Sequence, residues 1–134
     1  KVRPKRQLAR VSQPEHAVEL LEEAKRLAPE DPAVETDLGV AYLRLNKPEL
    51  ALGEFGRALA LAPNSAMAMH NRGLALLLLG QKDAARGEFE RALQKDPCLF
   101  DAIWNLRKLG VNAVAGGACR WTPEQARQLA TSGQ

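Results

Sequence analysis

Three prolines, Pro29, Pro63 and Pro97, stand 34 residues apart in this chain. Five residues before each is a small side chain (Ala24, Ala58, Ala92), eight before is a bulky apolar one (Leu21, Phe55, Phe89), and twelve before is small again (Ala17, Ala51, Ala85). The stretch ahead of these stations repeats as well: Leu38-Gly39-x-x-Tyr42 precedes Ala51, and Arg72-Gly73-x-x-Leu76 precedes Ala85. A period of this length, with small and bulky positions at fixed stations, predicts stacked helix pairs. Each pair is a unit that cannot bury its apolar face alone, so neighbours must cover one another.

The helices themselves are legible from their ends. Asp31 is an N-cap with Pro32 at the first helical position, and that helix runs to about Leu45, where Asn46-Lys47-Pro48 breaks it. A second helix opens at Pro48 and stops before Pro63, the next unit turns at Gly80, and its second helix stops at Pro97. Gly39, Ala51 and Ala58 belong where two helices approach closely, with Phe55, Leu59 and Leu61 filling the space between layers. Pro14-Glu15-His16-Ala17 is in phase with Pro48-Glu49-Leu50-Ala51, so residues 14–28 form a second helix. Its partner falls within residues 1–12, where only a short helix over Lys5–Val11 fits. Asp101–Leu109 is the first helix of a further unit. The phase then slips by seven residues across Gly110–Trp121 and resumes at Pro123-Glu124-Gln125-Ala126. Thr122-Pro123-Glu124-Gln125 reads as a capping box with Trp121 stapled onto Ala126. The loop ahead of it reads as a mobile linker to a docked helix, or as a place for special function.

These motifs resemble those of the tetratricopeptide repeat (TPR) family, whose unit reads W-x2-L-G-x2-Y, then A-x3-F-x2-A and a closing Pro. Residues 32–65 match every station except the leading Trp, which is Glu35. Residues 66–99 keep the Gly, both Ala, the Phe and the Pro, with Met69, Arg72 and Leu76 replacing Trp, Leu and Tyr. The resemblance implies an all-α, right-handed helical solenoid of about three and a half repeats. Its parts are a partial repeat with a basic start at 1–31, full repeats at 32–65 and 66–99, and a degenerate repeat at 100–134. The last holds the loop insertion at 110–121 and a capping helix at 122–131.

Composition restricts the function classes. With 134 residues and a net charge of +3, the chain is one domain's length, and its positive excess sits in Lys1, Arg3, Lys5, Arg6 and Arg10. Such an end is first a solvated one, although it can touch phosphates or acidic headgroups. The run Leu74–Leu79 is far short of the ~20 apolar residues that span a bilayer. Nothing points to specific nucleic-acid recognition or separates a cytoplasmic from a periplasmic setting. An opening Lys and no signal-peptide pattern read as a processed chain or a segment of a longer one. Cys98 and Cys119 lack metal-site spacing and read as two ordinary thiols; the alternative is a disulfide closing the last repeat, which implies an oxidising compartment. His16 and His70 are isolated, no Gly-rich phosphate loop or nucleophile constellation exists, and the carboxylates read as solvated partners of Lys and Arg. The chain is expected to be no enzyme and to need no metal or cofactor.

What remains is binding. In the family, first helices line a concave groove that receives a peptide or a partner helix. By register that groove presents Thr36, Val40 and Arg44 from one repeat and Met67, His70, Asn71 and Leu74 from the next, then Trp104, Asn105 and Lys108. Leu77, Leu78 and Trp104 can equally be packing residues, and Asn71 is read as exposed. The heat-shock co-chaperones of this family hold a C-terminal carboxylate with Lys, Asn, Asn, Lys and Arg. Here those stations are Thr36, Val40, Asn71, Asp101 and Asn105, so only Asn71 matches and the clamp is absent. The resulting expectation is a protein–protein interaction or assembly module for an apolar segment or amphipathic helix. Alternatives are a regulatory or substrate-presenting domain of a larger enzyme, a bacterial TPR lipoprotein of pilus or outer-membrane assembly, and a self-associating scaffold.

Overall fold

The computed structural model describes residues 13–132, so the basic start and the short helix expected over Lys5–Val11 lie outside the described residues. Seven helices and no strand occur among the described residues: α1 (Pro14–Leu27), α2 (Pro32–Arg44), α3 (Pro48–Leu61), α4 (Ala66–Leu78), α5 (Lys82–Lys95), α6 (Phe100–Lys108) and α7 (Pro123–Ser132). They fall in two compact units that divide between Pro63 and Asn64. In the first, α1 lies on α2 and α2 on α3; in the second, α4 pairs with α5, α5 with α6 and α6 with α7. The all-α architecture of helix pairs read from the sequence is the one observed.

Helix ends follow from local chemistry. The Asp31 carboxylate accepts from the Ala33 amide, and Ser65 Oγ accepts from the Ala68 amide, so both first helices start on a side-chain cap. At the other end, α2, α4 and α6 all close in the same way. Asn46, Gly80 and Gly110 take positive φ of 58°, 79° and 89°. The following amides of Lys47, Gln81 and Val111 then reach back to the carbonyls of Tyr42, Leu76 and Leu106, each at 2.9 Å. That left-handed residue with its back-bond is a Schellman closure.

Within each unit one contact sets the separation of the helix pair. A Cβ placed on Gly39 would lie 2.5 Å from the Phe55 ring, and one on Gly73 would lie 2.6 Å from the Phe89 ring. Both rings are fully buried, and the alanines expected at close approaches, Ala51 and Ala58 in one unit and Ala85 and Ala92 in the other, are buried with them. Leu61, expected to fill a layer, is instead 40% exposed at the end of α3, and Leu59 is only half-buried.

The C-terminal end departs from the sequence reading in two ways. Cys98 and Cys119 form a disulfide with their Cα atoms 5.5 Å apart, which overturns the reading as two thiols. Trp121, read as a staple onto Ala126, has two further partners across the loop. It meets the edge of Phe100 at 6.0 Å and donates its indole N–H to the Cys98 carbonyl at 2.8 Å. The capping box does form: the Thr122 amide donates to Gln125 Oε1 and the Gln125 amide to Thr122 Oγ1, both at 3.0 Å. Gly116 adds a bond from its amide to the Pro97 carbonyl at 3.1 Å. The loop expected to be a mobile linker is thus tied back at several points.

Gly73→Ala is expected to lower stability by about 1–3 kcal/mol in thermal or urea unfolding, because the buried Phe89 ring has nowhere to move. Gly87→Ala, in the interior of α5 with open space around it, should raise stability by about 0.5–1 kcal/mol. Reducing the disulfide, which closes a loop of 21 residues, should cost about 3 kcal/mol in the same assay.

Candidate functional site

Two places gather polar side chains, one in each unit. In the second unit, the stations read as a groove divide sharply by exposure. Met67 is 45% and Leu78 54% exposed at the two ends of one face of α4, while His70 and Asn71 between them are buried. Asn71 is therefore not the exposed residue expected from sequence. His70 is the hub: Asn105 Nδ2 lies 2.9 Å from its Nε2, and Asn71 Oδ1 lies 3.3 Å from its Nδ1. With the two amides oriented this way, Nε2 accepts from Asn105 and Nδ1 donates to the Asn71 oxygen, the pattern of a neutral imidazole. Burial pushes its pKa below the ordinary value of 6.5, against the opposing influence of Asn71 and Asp101. The ring also packs on Phe89 at 5.3 Å.

Around this hub the surface is apolar. Leu74, Leu77 and Trp104 are half-buried against the C-terminal core, and Trp104 stacks on Phe100 with ring centroids 6.1 Å apart. Lys108 is exposed on the next turn of α6 from Trp104. Of the groove stations in this unit, Met67 and Lys108 face solvent, Leu74, Trp104 and Asn105 are partly available, and His70 and Asn71 are interior. A separate apolar cavity of about 300 Å³ lies where the 110–121 loop meets α5 and α6, lined by Leu93, Pro97, Leu106, Val111 and Val114 among others.

In the first unit, Arg44 is exposed, Val40 is half-buried, and the Thr36 hydroxyl is spent on the Pro32 carbonyl at 2.8 Å. Val40 and Arg44 border a cleft of about 280 Å³ with Ala17, Leu21 and Asp37. The larger surprise is behind them. Glu35 and Glu54, read as solvated, are 2% and 4% exposed. Lys25 Nζ stands 3.7 Å from Glu35 Oε1 and 3.5 Å from Glu54 Oε1. Arg57 donates to Glu54 Oε2 at 2.7 Å, and its Nε is 3.5 Å from Glu35 Oε1. Arg57 is half in water and half in this cluster. Burial and the neighbouring Glu54 carboxyl hold the Glu35 pKa above the usual carboxylate range. Burial acts the same way on Glu54, but the neighbouring Glu35 carboxyl, Arg57 and Lys25 outweigh that and hold it below. Beside them, burial and a 2.8 Å bond to Glu22 push the Tyr42 hydroxyl up to about 12. The signal that could have found Glu35 was its station: it occupies the place of the motif Trp, and Met69 at the same station of the next repeat is buried.

The sequence profile of the tetratricopeptide repeat matches residues 36–97. None of the curated proteins matches the chain. Among solved structures, the chain is similar to the first TPR of Spaghetti (RPAP3), determined bound to the HSP90 peptide SRMEEVD. Identity is 27%, the TM-score is 0.72, and the match covers 78% of this chain and 83% of that one. The first TPR domain of the human RPAP3 protein is similar at 29% identity and a TM-score of 0.70, over 72% of this chain and 76% of that one. Likeness to MamA, at 20% identity and a TM-score of 0.68 over 91% and 68% of the two chains, bears on the fold alone.

The buried neutral imidazole has a consequence for acid stability. A pKa lowered in the fold means that the unfolded chain takes up the proton first, so the His70 contribution is complete above about pH 6.5 and is lost as pH falls through the lowered folded value. Melting curves of the protein should shift down between about pH 7.5 and pH 5, and His70→Gln should flatten that part of the profile.

Proposed function

We propose that this chain, which carries tetratricopeptide repeats over residues 36–97, is a non-catalytic protein-interaction module, and that the α4–α6 face of its second unit receives an apolar partner segment. The observation that carries this reading is the α4 face itself. Met67 and Leu78 stay in water at its two ends, with half-buried Leu74 between them and the His70–Asn105 bond holding α4 to α6 beneath. An apolar face on a rigid support suits an amphipathic helix or an extended segment with apolar anchors, and an exposed Met adapts to varied partners.

The similar RPAP3 domain was determined with the acidic peptide SRMEEVD. In this chain the polar groups that could meet a carboxylate are already engaged. Asn71 and Asn105 are committed to His70, and Asp101 brings a negative charge to the same surface. Thr36 is likewise bonded to its own helix. The chemistry therefore favours an apolar ligand over a carboxylate terminus.

The test uses two fluorescent peptides, SRMEEVD and an amphipathic leucine-rich helix, titrated by anisotropy. The helical peptide should saturate and SRMEEVD should not. Met67→Asp should weaken the helical peptide about tenfold, since it sets an unpaired charge against an apolar ligand, with little change in melting temperature. Arg91→Ala, on the outer face of α5, is the control and should bind normally. Tight binding of SRMEEVD together with an inert Met67→Asp would refute the assignment.

A further inference from the structure

The cluster in the first unit joins three successive helices: Lys25 is on α1, Glu35 on α2, and Glu54 and Arg57 on α3. We infer that Glu35 and Glu54 form a buried receptor for one primary ammonium group, filled in cis by Lys25, and that α1 is a strap held by this contact and able to leave α2 and α3 without unfolding them. Three observations support it. First, Glu35 Oε1 and Glu54 Oε1 are buried with no hydrogen-bond partner, and both stand 3.5–3.7 Å from the Lys25 ammonium. Second, α1 buries none of its residues, whereas the core of the α2–α3 pair, Leu38, Ala41, Ala51, Phe55 and Ala58, comes wholly from those two helices. Third, the polar ties between α1 and the pair are the Lys25 contacts and the Glu22–Tyr42 bond at 2.8 Å. A helix fixed mainly by charge, with none of its own residues in the core, opens more readily than the core beside it.

The charged and titratable groups facing the pair are Lys25 and, through Tyr42, Glu22 from α1; Glu35 and Tyr42 from α2; and Glu54 and Arg57 from α3. With both carboxylates ionised, Arg57 balances one charge and Lys25 the other. Because burial already favours the protonated form of Glu35, a proton can stand in for the ammonium as the solution becomes acidic. Loss of Lys25 should therefore matter more near neutral pH than at mildly acid pH. A merely space-filling lysine would show no such dependence.

Amide hydrogen exchange on the full chain, corrected for intrinsic rates, reads this directly. In the parent protein, α1 amides should exchange about tenfold or more faster than the slowest amides of α2 and α3. Lys25→Ala should speed α1 exchange by about a further tenfold near pH 7.5, by about threefold or less near pH 5, and leave α2 and α3 unchanged. Lys25→Arg should keep most of the protection. Propylammonium added to Lys25→Ala should restore α1 protection, and propionate should not. Equal exchange of all three helices in the parent protein would show one cooperative unit and overturn the strap. So would loss of α2 and α3 protection in Lys25→Ala. A Lys25→Ala effect that is the same at both pH values and untouched by propylammonium would overturn the receptor.

Discussion

The structure depends on an aromatic ring lying against a residue with no side chain. Phe55 on Gly39 and Phe89 on Gly73 place a ring edge where a Cβ would otherwise stand, and the distance between paired helices follows from that overlap. The alanines around each ring are small because the helices are already close. The two contacts are 34 residues apart, which is the period of the chain restated as packing. The third pair lacks both partners. Arg107 takes the glycine station, and Ala130, exposed on α7, takes that of the ring once the slip of seven residues is counted. With no ring to admit, the position is free for a long side chain. Arg107 uses the space to donate to the carbonyls of Ala113 and Leu129 and to Ser132 Oγ, binding the loop and the last turn of α7.

The same exchange of packing for charge occurs at other broken stations. Glu35 replaces an aromatic residue and becomes half of a buried carboxylate pair. Arg72 replaces a leucine and bonds to Glu88 at 2.8 Å. Glu54 and Glu88 are themselves one period apart, each paired with an arginine three residues on, so a single acidic station serves two different cations. Buried charges of this kind add little net stability over apolar residues of like size, but removing one partner strands the other. They make the contacts between helices conditional on particular residues rather than on bulk.

How much of this could be read from the sequence follows from the range of each interaction. Helix ends are set by neighbours within a few residues, so Asp31, Gly80 and the Thr122–Gln125 box locate them without a structure. Close approaches were legible because the period repeats them. The burial of Glu54 and Asn71 was not, since each stands on a helix whose charged or polar neighbours suggest a wet face, and only the partner helix decides the matter. The disulfide was hidden for a related reason. Nothing local to Cys119 says that the loop turns back on Pro97. The groove stations were assigned by register alone, and which of them keep access to water depended on His70 drawing Asn71 and Asn105 together.

The brevity of α6 has a consequence of its own. It spans 9 residues where α2 and α4 span 13, so it is about 6 Å shorter than either at 1.5 Å per residue. A helix that stops one turn early cannot offer the next layer a seat of full length. The flank of α5 left beside the missing turn meets extended chain of the 110–121 loop instead, fastened through sulfur.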